Sequence, residues 1–219
     1  MSTDETRARL LEAAATVLAE HGPSGISARS VAAEASVNQA LIFYHFGSLA
    51  ALVDQAVAAR AATARARYRR SLAEARSFAE LLAVGRELHR RESAVGNVRL
   101  MANLLAAAQS DPALAAGAAS TMAGWVTDIE AAVSRLLRSS PLGGFVDARD
   151  LAGALSASFL GLELYQGVDP DNGRRALEAL ADLGALLEVI EGLGPMEQAI
   201  IRSRLRKARK HIRRPVRDA

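Results

Sequence analysis

The side chains with the most distinctive chemistry lie in one short stretch, NQALIFYHF, from Asn38 to Phe46. Phe43, Tyr44 and Phe46 surround His45 there, although the chain of 219 residues contains only five Phe, three Tyr and one Trp. A small core would use one or two of these rings. The remaining rings are therefore predicted to face a partner.

Catalytic or metal chemistry is not indicated by the residue types. The sequence has no cysteine, no phosphate-binding glycine loop and no serine in a nucleophile-elbow context. The four histidines are far apart, and none stands at ligand spacing from another: His21, His45, His89 and His211. We therefore expect a protein that is not an enzyme and that needs no metal or cofactor.

Charge and hydropathy limit the partners and the compartment. The N-terminus is polar and acidic without a signal segment. No uncharged apolar run reaches the roughly 18 residues that a membrane span needs. We expect a cytoplasmic protein with no membrane partner.

The net charge of +3 is unevenly distributed, because residues 202–219 alone carry nine Lys or Arg against one Asp. The basic tail 202–217 fits either a solvated helix end or a contact with DNA or another anion. A second cluster of arginines between residues 60 and 70 has the same two interpretations, of which a solvated face is favoured.

The elements that must position these side chains are predicted to be helices throughout. Ala, Leu, Arg and Glu dominate the composition, and no window alternates β-branched and polar residues. Four Xaa-Pro pairs predict a cap or turn followed by the first turn of a helix: Asp111-Pro112, Ser140-Pro141, Asp169-Pro170 and Gly194-Pro195. Roughly nine or ten helices are expected, with the first running from about Thr3 to Glu20.

The region from Ser27 to Ser48 has the spacing of a helix-turn-helix. Ser27 is a good N-cap for a second helix, and Asn38 can cap a short third helix that Gly47 ends. Small residues permit a close crossing of the two helices: Ala32, Ala35 and Ala40. The third helix would then be free to enter the major groove of DNA with its N-terminal residues on the base edges.

In this region the sequence resembles the N-terminal domain of the tetracycline-repressor (TetR) family of transcription regulators, from about residue 6 to residue 52. The resemblance rests on LLEAAATVLAEHGPSGISARSVAAEASV followed by NQALIFYHFGSLAAL. Three positions depart from the family pattern. Ser36 replaces a turn glycine, Phe43 replaces a tyrosine that donates to a phosphate, and Leu49 replaces a lysine that meets the DNA backbone.

The resemblance implies an all-α fold with two domains. Residues 1–47 would be a three-helix DNA-binding domain, and residues 48–219 would be a larger helical domain that binds a ligand and dimerises. Gln39 can pair with adenine and Arg29 can reach guanine. Ile42 and Phe46 are predicted to face inward. The whole predicted DNA-binding set is Arg29, Asn38, Gln39, Ala40, Leu41, Phe43, Tyr44, His45 and Ser48.

The second half resembles the family more loosely, and its apolar stripes agree with a ligand site and a dimer. The predicted ligand-binding residues are Leu82, Glu87, Met101, Leu104, Leu105, Met122, Trp125 and Ile129, with His89 and Glu163 as further polar candidates. The predicted dimerisation residues are Leu151, Leu155, Phe159, Leu162, Leu180, Leu183 and Leu187. Met and Leu at helical spacing also fit an ordinary core.

The sequence therefore predicts a homodimeric regulator, most simply a repressor, that a small lipophilic effector releases from a palindromic double-stranded DNA operator. The alternative is a helical protein-binding adaptor of the same fold with weak or lost DNA binding. Phe43 and Leu49 keep that alternative open, because they remove a hydroxyl and a charge from the contacts to phosphate.

Overall fold

The computed structural model describes residues 2–212, and in that range the chain forms ten helices and no strand, which confirms the predicted all-α class. The helices are α1 Thr3–Gly25, α2 Ala28–Glu34, α3 Ala40–Phe46, α4 Leu49–Glu74, α5 Phe78–Ala94, α6 Asn97–Ala108, α7 Pro112–Ser139, α8 Ala148–Gln166, α9 Pro170–Glu191 and α10 Pro195–Ile212.

Local caps place the first four helices where the sequence predicts them. The regular part of α1 ends before Gly22, whose φ of 67° and ψ of −171° are not helical. Ser27 forms a capping box with Ser30 at the start of α2. Gly47 ends α3 with a φ of 75°, and the Ser48 side chain caps α4. These are short-range interactions, which is why they can be read from the sequence.

Three of the four Xaa-Pro pairs begin a helix, and Ser140-Pro141 does not. Proline occupies the start of α7 and α9 behind an aspartate cap, and α10 begins at Pro195. Ser140 instead ends α7, and the chain turns through Gly143 and Gly144 before α8 begins behind Asp147. Gly144 has a φ of 76°, which a helix cannot accommodate.

Two clusters of buried side chains form the core. The first joins α1, α2 and α3 to the first half of α4, to α6 and to the start of α7. The second joins the later part of α4 to α5 and to the end of α7. In the first cluster Leu10, Leu18 and Leu104 are almost fully buried, and the Asn103 amide donates to the Leu18 carbonyl over 2.8 Å. The packing is thus continuous across residue 47, and the division into two domains there stays a proposal.

Two further predictions concern the basic tail and the absence of a membrane span. The basic tail 202–217 is described only as far as residue 212, and residues 213–217 lie outside the described part. Among the described helices, no single one is long and apolar enough to cross a membrane. Among these helices, only α3 and α4 taken together reach that length and composition, and the two helices meet at a bend of 67°.

Candidate nucleic-acid interface and ligand cavity

Helices α2 and α3 form the predicted helix-turn-helix. Val31 and Ala32 of α2 and Ile42 and Phe46 of α3 are buried in the first core cluster, so both helices are anchored through one face. The turn between them contains Ser36 with a φ of 50°, in the left-handed region that favours glycine. The serine that replaces the usual turn glycine therefore adopts the glycine conformation rather than reshaping the turn.

The opposite face of α3 is open to solvent. Phe43 is 52% exposed and Tyr44 is 78% exposed, although aromatic side chains of a monomeric helical protein are usually buried more deeply. Of the nine predicted DNA-binding residues, two are half-buried, namely Leu41 and His45, and seven are exposed: Arg29, Asn38, Gln39, Ala40, Phe43, Tyr44 and Ser48.

Some of these side chains also hold the helix ends. The Asn38 Oδ1 atom accepts a hydrogen bond from the Ala40 N–H over 2.8 Å, so Asn38 caps α3 as predicted. The Ser48 hydroxyl oxygen accepts from the Ala51 N–H over 3.1 Å, which leaves its own proton available to a phosphate. Gln39 has no capping bond of this kind, so its amide remains free to meet a base edge.

Arg7 supports α3 from behind rather than facing DNA. Its guanidinium lies 5.1 Å from the centre of the Phe46 ring, and it also donates to the Gln55 side chain. This cation–π contact joins α1 to the end of α3, and the hydrogen bond joins α1 to α4. Arg7 thus links the buried face of α3 to α1 and α4.

Helix α4 connects this region to the rest of the molecule through two close contacts with α7. The Asp54 carboxyl lies against Gly117, where a Cβ atom would come within 2.2 Å of it. Burial, and then the charge of Asp111, raise the pKa of Asp54. Further along, the Arg65 Nε atom donates to an Asp128 oxygen over 2.6 Å, with a second bond of 3.1 Å.

Most of the arginines between residues 60 and 70 are paired with carboxylates rather than left in water. Arg60 binds Glu12, Arg67 binds Glu92, and Arg70 binds Glu74. Arg60, Arg65 and Arg67 thus join α4 to α1, α7 and α5, whereas the exposed Arg70–Glu74 pair lies within α4. The favoured interpretation of this cluster as a solvated face therefore describes only part of it.

A cavity of about 110 Å³ lies between α4, α5, α6, α7 and α8. Its wall is mostly aliphatic and aromatic, with Trp125 and Phe159 as its largest side chains. The wall has few polar side chains, which belong to Arg60, His89, Glu92, Asn97 and Ser156. A mostly apolar space with a few polar groups is typical of a small-molecule site.

Five of the eight predicted ligand-binding residues line this cavity: Leu82, Met101, Met122, Trp125 and Ile129. The other three lie elsewhere. Leu104 and Leu105 pack in the first core cluster. Glu87 is on the surface, where ion pairs with Arg90 and then Arg91 lower its pKa to about 2.

A buried carboxylate closes one side of the cavity. Glu92 is 2% exposed, and its Oε1 atom accepts from Arg67 over 2.6 Å and from the Tyr68 hydroxyl over 2.9 Å. Its Oε2 atom accepts from the Asn97 amide over 2.6 Å. Burial, followed by this bond to Glu92, raises the pKa of Tyr68. The network joins α4, α5 and α6 around the cavity.

Most of the predicted dimerisation residues face into their own chain. Leu155 and Phe159 line the cavity, Leu162 is buried, and Leu151 and Leu187 pack against the second core cluster. Leu180 is half-buried, and only Leu183 is largely exposed, at 53%. The apolar stripe of α8 therefore packs largely within its own chain, and the role of these residues in dimerisation stays a prediction. Periodicity shows that a stripe is buried but not which element buries it.

Other residues of α8 and α9 form the exposed apolar surface. We call it the outer faces of α8 and α9, and it consists of Leu164, Tyr165, Leu183, Leu186 and Val189, together with Val168 in the turn between the two helices. Small residues continue it along α8, where Ala154, Ala157, Ser158 and Gly161 are exposed.

The cavity includes positions that the sequence did not single out. Val57, Ala61 and Ala64 bring α4 to its wall, and Gly85 lies against Phe159, where a Cβ atom would come within 2.7 Å of the ring. Small residues on a helix in an alanine-rich chain carry no signal of their own, so only the packing could reveal them.

The fold and its exposed second helix define a helix-turn-helix protein with a helical body that encloses a cavity. The family model for bacterial regulatory proteins of the tetR family matches residues 10–56, which contain the helix-turn-helix. The match shows that this segment is similar to regulators of that family, and the similar proteins described next support the likeness.

Curated relatives match through the same N-terminal region. The HTH-type transcriptional repressor Rv3405c of Mycobacterium tuberculosis and the regulator Mb3439c of Mycobacterium bovis are each 44% identical over 50 residues. That segment is 23% of this chain and 27% of each relative, so the chain matches about a quarter of their length.

Solved structures match over most of the chain. A protein from Rhodococcus sp., described as a TetR-family transcriptional regulator, is 27% identical with a TM-score of 0.67, covering 83% of this chain and 98% of its own. The regulator FadR of Bacillus subtilis, solved in complex with stearoyl-CoA, has a TM-score of 0.66 at 15% identity and covers 85% of this chain and 99% of its own. This second likeness shows the fold alone.

Proposed function

We propose that the protein is a ligand-responsive transcriptional regulator that acts in the cytoplasm as a homodimer on double-stranded DNA. One observation carries the proposal, namely the outward face of α3. Its exposed rings at Phe43 and Tyr44 lie beside a free amide at Gln39, on a helix that is anchored only through its other face. Repression of a palindromic operator is the simplest mode of action.

On this proposal the residues of the interface divide into two groups. Gln39 and Arg29 contact base edges, because an amide can pair with adenine and a guanidinium with guanine. Tyr44, His45 and Ser48 contact the sugar-phosphate backbone, which fixes the position of the helix without reading sequence. Phe43 adds apolar contact but has no hydroxyl to donate.

The dimer would use the outer faces of α8 and α9. A two-fold operator needs two recognition helices about 34–36 Å apart, so the protein must associate through a self-complementary surface. Val168 is 87% exposed and Val189 is 67% exposed. Such apolar surface is more favourable when a second subunit covers it.

The effector would act through α4. This helix begins at the Ser48 cap behind α3, and its residues Val57, Ala61 and Ala64 reach the cavity wall. A ligand that is preferred by one position of α4 would change the spacing of the two recognition helices in the dimer. The coupling can be no larger than the difference in the ligand's affinity for the two conformations.

The proposal is tested by measuring the affinity of the purified protein for DNA of its adjoining promoter at several salt concentrations. Gln39→Ala should relax base preference, at a cost of about 1–3 kcal/mol for one paired contact. His45→Ala should weaken binding to all sequences alike. Leu49→Lys should strengthen binding and steepen its salt dependence by up to about one counterion per site.

A protein-binding adaptor is the second candidate, and the absent phosphate contacts at Phe43 and Leu49 favour it. The same titration separates the two functions. If Gln39→Ala and His45→Ala leave both affinity and base preference unchanged, the outward face of α3 is not a DNA surface. The adaptor would then describe the protein better.

A further inference from the structure

The polar groups on the cavity wall are satisfied by other parts of the protein, with one exception. Glu92 uses both of its oxygens within the network described above, and the Ser156 hydroxyl donates to the Ala152 carbonyl over 2.8 Å. Arg60 reaches out to Glu12. His89 is 2% exposed, and its Nδ1 atom has no hydrogen-bond partner among the described residues.

The His89 ring is held firmly in place by its other atoms. Its Nε2 atom lies 3.3 Å from the Gln166 Oε1 atom and 3.9 Å from a Glu163 oxygen. The same Glu163 oxygen accepts from the Ser93 hydroxyl over 2.7 Å. The ring also packs on Phe159, with 5.8 Å between the ring centres. His89, one of the residues that line the cavity, is thus a fixed ring with one unsatisfied nitrogen.

The atoms near Nε2 determine which nitrogen of the His89 ring carries the proton, and hence whether Nδ1 donates or accepts a hydrogen bond. Both atoms near Nε2 are oxygens, and a carboxylate can only accept, so the ring proton belongs on Nε2. In that tautomer Nδ1 is a hydrogen-bond acceptor, as in histidines whose second nitrogen is oriented by an outer carboxylate. A group that satisfies it must donate an O–H or N–H.

The rest of the wall describes the body of the ligand. The cavity of about 110 Å³ is partly open to solvent and is of the same order as a closed cavity of about 150 Å³ that holds benzene. It therefore suits a molecule with a single small ring or a short branched chain. The wall has no charged group left unpaired for a ligand carboxylate, because Glu92 and Arg60 are both engaged.

We propose that the cavity takes a compact, uncharged, mostly hydrocarbon molecule with one hydroxyl that donates a hydrogen bond to His89 Nδ1. The class is that of small alicyclic or aromatic alcohols. This inference rests on the proposed function, since it names the chemistry of the effector that the cavity would bind.

The test compares four ligands with the same ring, using the fluorescence of Trp125, the only tryptophan of the chain, which lines the cavity. Cyclohexanol donates a hydrogen bond, cyclohexanone only accepts, cyclohexane does neither, and cyclohexanecarboxylate is an anion. We expect cyclohexanol to bind the full-length protein roughly three- to tenfold more tightly than cyclohexane, as one buried hydrogen bond would give.

Replacing the acceptor should remove this preference. In His89→Phe, cyclohexanol and cyclohexane should bind equally, while His21→Phe, which changes an exposed histidine outside the cavity wall, should keep the preference. The unprotonated ring nitrogen of His89, assigned by comparing nitrogen spectra of the two variants, should shift with cyclohexanol and not with cyclohexane. This measurement and the ligand comparison use the wild-type ring, so they stand even if His89→Phe folds poorly.

Four results would overturn the inference. They are equal binding of cyclohexanol and cyclohexane, a preference that survives in His89→Phe, tighter binding of cyclohexanone or the carboxylate than of the alcohol, and no binding of any of the four. DNA binding is measured separately on the same protein without ligand. Retained DNA binding with any of these results refutes the ligand class alone, whereas loss of DNA binding refutes the proposed function.

Discussion

Replacing Glu92 with leucine tests how strongly its buried network holds the cavity wall together. The substitution keeps a side chain of similar volume but removes the acceptor for three donors, from Arg67, Tyr68 and Asn97. These donors belong to α4 and α6, whereas Glu92 belongs to α5. The change therefore acts where three helices meet.

The expected cost follows from the exposure of each donor. The Arg67 side chain is 49% exposed, so its charge can turn to water at little cost. Tyr68 is buried, and a buried hydroxyl left without a partner costs about 1–3 kcal/mol. The half-buried Asn97 amide adds about 1 kcal/mol. We expect Glu92→Leu to lower the free energy of unfolding by about 2–4 kcal/mol.

Urea unfolding at a fixed protein concentration measures this loss, and the fixed concentration keeps any dimer contribution constant. The midpoint should fall with little change in the slope, and the melting temperature should fall by roughly 4–16 °C for a domain of this size. Glu87→Gln is the matched control, because Glu87 lies on the same helix but its side chain is 41% exposed and pairs with Arg90 and Arg91 of that helix. Its effect should be clearly smaller.

A second substitution makes the reasoning refutable. Removing both partners of a buried hydrogen bond is far less costly than removing one, so Tyr68→Phe should cost little once Glu92→Leu is present. The double variant should thus be more stable than the sum of the single effects by at least about 1 kcal/mol. Additive losses, or a loss below about 1 kcal/mol for Glu92→Leu, would show that the network does not stabilise the wall.

Three further substitutions test separate features. Ser36→Gly should raise the free energy of unfolding by about 1 kcal/mol in thermal unfolding, because it relieves the left-handed backbone, and no gain would contradict that strain. Asp54 has a pKa raised above 3.8 by burial and then by Asp111, so the wild type should lose stability as pH rises through the raised value. Asp54→Asn should therefore be more stable than wild type at neutral pH, with the difference vanishing below about pH 3.8; equal curves would exclude this penalty. Leu186→Arg should raise the dimer dissociation constant at least about tenfold in sedimentation, by burying a charge, whereas Val95→Arg, outside the outer faces of α8 and α9, should not.

Much of the recognition region could be predicted because its signals are local. Ser27, Asn38, Gly47 and Ser48 act on backbone groups within about four residues of themselves, and the structure confirms their roles as caps and stops. The inward positions of Ile42 and Phe46 follow from helical spacing, once the helix is known to have a single buried face. The likeness to the TetR family rests on this same segment.

The cavity could be predicted only in part. Trp125, Met101 and Met122 mark it, because tryptophan and methionine are uncommon in this alanine-rich chain. Leu104 has the same residue type and spacing but packs in the first core cluster, and Glu87 has the polarity of an anchor but pairs with Arg90 and Arg91 on the surface. Whether such a side chain meets a cavity, a core or water depends on which helix lies opposite.

The helical class, most of the helix ends and the outward face of α3 could be predicted from the amino-acid sequence, because caps, turns and helical period depend on interactions between near neighbours. The tertiary structure alone decided the environment of each apolar stripe. It turned Leu155 and Phe159 inward to the cavity, left the outer faces of α8 and α9 exposed, and isolated the Nδ1 atom of His89 on the wall. These outcomes depend on contacts between helices that are far apart in the chain. A periodic pattern indicates that one face of a helix is buried, but it does not indicate which helix packs against that face.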